Sequence, residues 1–416
     1  MLLSLLLALS LQISGIVSDA CTGKGIEGVV VSDGYTCTVT DAGGKYFITA
    51  DSLARTINLT IPREYEIPIG EDGRPAFFKY IGSADMDFRL TPRRHVSDNF
   101  SLIAVADAHI RDDMNLERFT KESIPDIQKS VERRTKKGPV IGIALGDQLW
   151  DVMSRAAEVR DRFTSIKYFD KTMPFFYCIG NHDYDSSAGD TKYEVTENFV
   201  RNFGPTDYSF DIGRVHFVVM DDIQYTGLQR DGIKISYTTG LNDRQMQWLR
   251  QDLSLVKDKE NKLIVFCVHS PLYGRFAYKD EVKTLLKEFA EAHVLSGHEH
   301  NLNNVFYDGI WEHNIQSIGG SWWLSNLAPN GAPLGYGVLC FEGAALAEQY
   351  NKATNEDFRF QMRVYSGNDS YGPDTPNSGV AGEPKRTNVY SWPEELKGHF
   401  VVRIWDGTPD WEVKFV

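Results

Sequence analysis

Cysteine is scarce in this chain: there are five in 416 residues, an odd number that cannot pair completely within one molecule. Cys178 and Cys267 fall inside apolar runs, where they read as small buried hydrophobes, so a disulfide framework is excluded and Cys21 with Cys37 is the one pairing worth testing. Basic charge is in deficit as well. With 44 Lys and Arg against 57 Asp and Glu the formal charge is −13, which argues against a general binder of nucleic acid or anionic membranes. The short basic run Arg133, Arg134, Lys136, Lys137 suits a solvated helix end. No apolar run reaches the length of a membrane span. The N-terminal stretch Met1 to Leu11, almost all Leu, Ala and Ser, predicts a secretory signal h-region with cleavage after Ser10, although no Lys or Arg precedes it. Ser18-Asp19-Ala20 ahead of Cys21 lacks the leucine of a lipoprotein box. The expected location is periplasmic, cell-surface or secreted. Internal repeats are absent too.

What the chain does have is five short polar segments: Asp107-Ala108-His109, Gly146-Asp147, Gly180-Asn181-His182-Asp183, His269, and Gly297-His298-Glu299-His300. Each follows an apolar run with strand character: Phe100 to Ala106, Val140 to Leu145, Pro174 to Ile179, Leu263 to Val268 and Ala292 to Ser296. Helical patterns at Leu116 to Arg134, Ser154 to Phe169 and Asn242 to Lys257 lie between several of them, the last opening with Asn242 and Gln245 at capping-box spacing. Alternation of this kind predicts a mostly parallel sheet wrapped by helices, with all five segments delivered to one edge. Oxygen and nitrogen donors gathered there suit two divalent cations. Taken singly, each segment has a structural explanation. Asp107 and Asp147 are residue types that cap helices or form turns, Asn181 suits a left-handed turn, and a lone strand-end histidine such as His269 is more often hydrogen-bonded than ligating. His95, His216, His293, His313 and His399 have no comparable setting and are read as structural.

In this order, D-x-H, G-D, G-N-H-D, H and G-H-x-H, the segments from Asp107 to His300 resemble the calcineurin-like metallophosphoesterase superfamily, with no ligand position substituted. The resemblance implies that Asp107, His109 and His300 hold one metal, that Asn181, His269 and His298 hold the other, and that Asp147 bridges the pair. The ions would be Mn, Fe, Zn or Mg. His182 would face the substrate as a non-ligand, with Asp183 beside it orienting the ring and raising its pKa. The implied reaction is hydrolysis of a phosphoester by metal-activated hydroxide. A phosphomonoester, a diester of a lipid or glycan, and a nucleotide-sugar pyrophosphate all remain open as substrates. The competing reading is a secreted protein that keeps the fold and binds glycan or a partner, for which loss of a ligand would have been the sign.

Length alone suggests two or three domains. Beyond the signal segment at 1–12, residues 13–93 carry short β-runs between glycine-rich turns and resemble the transthyretin-like β-sandwiches ahead of some secreted enzymes. This module is expected to be a folding and spacing unit, or to bind carbohydrate or a partner. Removing it should leave the metal centre formed, since no ligand lies there. Residues 94–320 form the expected α/β catalytic domain, its β-sheets sandwiched by helices, and 321–416 a β-rich domain. In the latter, Phe358 to Tyr365 and Trp411 to Val416 read as strands and Ser366 to Thr387 as a long loop. Trp150, Tyr184, Tyr273, Trp322 and Trp323 lie just after strands or soon after the last histidine block. Walls of a substrate cleft and packing at domain junctions are equally good readings of them.

Overall fold

The computed structural model describes residues 11–229, 234–320, 323, 325–328, 330–371, 390–407, 412 and 414. Residues 1–10 of the expected signal segment, Trp322, most of the long loop and most of the closing strand lie outside them, whereas Leu11 and Gln12 open the strand Leu11–Asp19.

The central region contains two sheets sandwiched by helices, as the family resemblance implies, with the apolar strands divided between them. In the first, the parallel strands Phe175–Cys178, Val140–Leu145 and Asn99–Val105 continue into the antiparallel strands Gly335–Glu342 and Ala345–Ala353. In the second, Val215–Val219, Leu263–Cys267, Glu291–Ser296 and Ile310–Asn314 run parallel, with Tyr208–Ile212 and Asn303–Tyr307 as antiparallel edges. Successive side chains alternate between faces, and both faces are covered. Leu102, Ala104, Ile141, Ile143 and Leu145 meet Phe217, Leu263 and Val265 of the other sheet, whereas Ile103, Val105 and Ala144 face Ile127, Val131 and Phe163 of the helices. Helix, sheet, sheet, helix is the layering, which is why the strands read as unbroken apolar runs.

The helix expected from Leu116 begins earlier, at Asp113, because Asp112 accepts a hydrogen bond from Asn115 N and caps it. One π-turn, Phe119–Ser123, precedes the Ile124–Thr135 segment, where Pro125 has no N–H to give to the regular ladder. The Asp243–Leu255 helix opens on the expected capping box of Asn242 and Gln245.

The three expected regions interlock. Within Gly335–Glu342, residues 337–342 pair with residues 99–104, so the first sheet continues beyond residue 320. The N-terminal module also does more than space the chain. Its two sheets enclose Val17, Val31, Ile57 and Leu59, while Ile61, Ile67 and Phe77 enter the core between the catalytic sheets. Phe77 lies 5.7 Å from the Phe176 ring and 4.9 Å from that of Tyr208, and Trp248 Nε1 donates to Ser32 Oγ at 2.8 Å. Toward the C-terminus, Met362–Ser366 pairs with Phe400–Ile404, so the strand expected from Phe358 begins four residues later. All five cysteines carry free thiols, Cys21 and Cys37 included. Among the described residues no helix is long and apolar enough to cross a membrane.

Candidate metal centre

All five segments follow the C-terminal ends of parallel strands: Asn99–Val105, Val140–Leu145 and Phe175–Cys178 in one sheet, Leu263–Cys267 and Glu291–Ser296 in the other. The two sheets bring these ends together, with His298 N donating to the Asp107 carboxylate at 3.0 Å.

Asp107 Oδ1 stands 3.6 Å from His109 Nε2 and 3.4 Å from His300 Nε2. Asp147 Oδ2 stands 3.3 Å from His269 Nε2 and 3.6 Å from His109 Nε2, and His298 Nδ1 is 3.2 Å from His269 Nε2. The donor atoms form three overlapping groups, Asp107/His109/His300, Asp147/His269/His298 and His109/Asp147/His182, each within 4.8 Å, and Asp147 belongs to the last two. Asn181 Oδ1 is buried and accepts no hydrogen bond among the described residues. Two carboxylates, four imidazoles and an amide oxygen with no other partner fit a pair of divalent cations. Burial pushes His109 and His298 down to about 4, which favours the neutral form that a ligating imidazole takes. Burial opposes charge on His269 too, but without a metal the Asp147 carboxylate outweighs it and raises that ring to about 10, so a bound cation would displace a proton there. Asp147 itself stays anionic: burial works against it, yet His269 and His182 hold it well below the usual carboxylate range.

The backbone is shaped around these side chains. Six of the thirteen non-glycine residues described with positive φ are Asp107, His109, Asp147, Asp151, His298 and His300, a concentration of left-handed strain that structural loops do not need. The motif glycines provide clearance: a Cβ on Gly146 would overlap the His269 ring, and one on Gly180 the Asp147 carboxylate. Leu145 O accepts from His269 Nδ1 at 2.8 Å, leaving Nε2 turned toward Asp147. Asp222 accepts from His269 N at 2.7 Å and from Ser270 N at 3.0 Å, fixing the loop from below.

His182 is oriented by a residue that the motif reading passed over. Its Nδ1 pairs with Asp151 Oδ1 at 2.9 Å, not with Asp183. Burial disfavours charge on His182, but Asp147 and then Asp151 raise its pKa. Asp183 points the other way, accepting from Leu149 N at 2.9 Å and Gly180 N at 3.0 Å, and so ties the two loops together. Burial and the nearby Asp147 charge push its carboxyl up to about 8. The clue was the second aspartate of Gly146-Asp147-Gln148-Leu149-Trp150-Asp151, four positions beyond the proposed bridging residue.

The five aromatic candidates divide. Trp150 is half-buried and packs edge-on against His109, 6.1 Å between centroids. Tyr273 is half-buried and donates to Glu299 at 2.8 Å, beside the paired histidines. Tyr184 is no cleft wall: it is buried and donates to Asp221 at 2.8 Å. Trp323 is likewise buried, its Nε1 donating to Ala108 O at 3.2 Å behind the first segment. Tyr237, which the sequence did not single out, faces His298 at 6.4 Å.

Three family models match the chain in succession: the N-terminal part of calcineurin-like phosphoesterase over residues 11–93, calcineurin-like phosphoesterase over 100–302, and its C-terminal part over 312–416. The chain belongs to the calcineurin-like phosphoesterases. It is similar to serine/threonine-protein phosphatase CPPED1 of Mus musculus, 28% identical over 168 residues that make up 38% of this chain and 51% of that protein. Purple acid phosphatase 23 of Arabidopsis thaliana is 28% identical over 153 residues, 32% of this chain and 30% of that one. The chain thus spans about half, or less, of the length of the curated relatives it matches. Among solved structures, a dimetal phosphatase from Danio rerio aligns with TM-score 0.40 and 13% identity, covering 61% of this chain and 98% of that one.

Proposed function

We propose that this protein is a hydrolase of phosphoesters that works with two divalent metal ions. The observation that carries the proposal is the pair of largely buried Asp/His triads with Asp147 within reach of both, together with the buried Asn181 Oδ1, which accepts no hydrogen bond among the described residues. Asp107, His109 and His300 would hold one ion, Asn181, His269 and His298 the other, and Asp147 both. Such ions supply charge compensation for the phosphoryl oxygens and a lowered pKa for water. The protein's own groups do the rest. Leu145 O and Asp222 hold His269 in place, and Asp151 turns the free edge of His182 outward from its Nδ1 contact. His182 then either delivers a proton to the departing alkoxide or stabilises charge on the phosphoryl group. The test is hydrolysis of p-nitrophenyl phosphate and bis-p-nitrophenyl phosphate by metal-stripped protein with Mn, Zn, Fe or Mg restored one at a time. Hydrolysis of at least one ester that depends on added metal is expected. No hydrolysis of either ester with any metal would overturn the proposal.

A further inference from the structure

Arg111 lies two residues beyond His109, half-buried, and its guanidinium carbon sits 5.1 Å from the centre of the Trp150 ring. Among the described residues that guanidinium makes no hydrogen bond or ion pair; only the Arg111 backbone N–H does, donating to Asn115 Oδ1 at 3.2 Å. The acidic side chains nearest in sequence are engaged elsewhere. Asp112 caps a helix through Asn115 N, Asp113 pairs with Arg155, and Asp151 holds His182. Glu299, between the two histidines of the last segment, already receives the Tyr273 hydroxyl.

We propose that Arg111, braced on Trp150, binds a second anionic group of the substrate, so that the preferred esters carry another phosphoryl unit next to the one that reacts. This rests on the phosphoesterase reading and adds a substrate class to it. A guanidinium laid on an indole has already given up much of its rotamer freedom, so less is lost when an anion binds. Its planar array of N–H donors matches two oxygens of a phosphoryl group at once, which an ammonium cannot do. Trp150 also packs against His109, so the clamp and the first triad share one rigid support. The second anion is thereby directed to the Arg111 side of the centre.

Two non-hydrolysable probes separate the reacting group from the second one: methylphosphonate, with one phosphorus, and methylenediphosphonate, with two. Their affinities are measured by calorimetry on metal-loaded protein and by competition against p-nitrophenyl phosphate, with the metal content of every variant checked by elemental analysis. The wild-type protein should prefer the diphosphonate by about tenfold or more, as charge-assisted bidentate contacts allow. Arg111→Met should reduce that preference to roughly threefold or less, and Arg111→Lys should retain an intermediate preference, since it keeps the charge and loses the fork. An active wild type without the preference, or an Arg111→Met variant that keeps it, would overturn the clamp alone. Equal weakening of both probes in Arg111→Met would also overturn it, because Arg111 would then serve the reacting phosphoryl group. A wild type that hydrolyses neither aryl ester with any metal fails at the earlier step and brings down both readings.

Discussion

His182 and the two aspartates near it show what a side chain's partner decides. Asp151 holds the ring, so His182→Ala should keep its metal content while turnover falls on the order of a hundredfold. Asp151→Asn should cost less, about tenfold, since an amide oxygen still accepts from Nδ1 but gives up the charge. Steady-state rates on an aryl and an alkyl ester check both values. A general acid predicts the larger loss on the alkyl ester, and equal losses point to electrostatic stabilisation. Asp183→Ala should act on stability instead, by about 2 kcal/mol in urea unfolding, because two buried N–H groups lose their acceptor. The proposed ligands were legible because each motif names its own residue types. Asp151 was not, since adjacency in sequence favoured Asp183 and only the fold shows that the carboxyl beside His182 points away from it.

Among the elements, the Tyr208–Ile212 and Val215–Val219 hairpin and the Asp243–Leu255 helix enclose His216, which lies 2.7 Å from Asp211 and 3.0 Å from Asp252. Ser209 Oγ donates to Asp252 at 2.6 Å, Lys262 stands 3.9 Å from Asp211, and the Phe289 ring stacks 6.2 Å away. Burial opposes charge on His216, yet the two carboxylates raise it from 6.5 to about 9. Because the folded-state value lies above the unfolded one, the stabilisation is present in full below pH 6.5 and is lost as pH rises through about 9. Melting temperature measured across this window should fall for the wild type, and His216→Gln should lack that alkaline limb. A wild-type profile that is flat over the same range would remove His216 from the account. Strands and helices were readable from apolar runs and the Asn242 capping pattern. That the strands divide between two sheets was not, because a strand buried on both faces looks the same whichever sheet it joins.

For the whole molecule, the N-terminal module and the catalytic layers share a core through Ile61, Ile67 and Phe77. Phe77→Ala should therefore cost about 3 kcal/mol of stability although its chain segment belongs to the N-terminal module, and deletion of the residues before Arg93 should yield a destabilised protein rather than an intact enzyme. Denaturant titration of both checks this, and a full-length transition with unchanged midpoint in Phe77→Ala would refute it. Sequence showed three regions but not how they interlock: Gly335–Glu342 is chosen by its pairing with Asn99–Val105, a long-range match that no local pattern encodes. The central claim is that two metal ions share Asp147, and elemental analysis of wild type, Asp147→Ala and Asn181→Ala tests it most directly. The account predicts two ions per wild-type chain, loss of both in Asp147→Ala and loss mainly of the second in Asn181→Ala. Two ions at full occupancy in Asp147→Ala would contradict it.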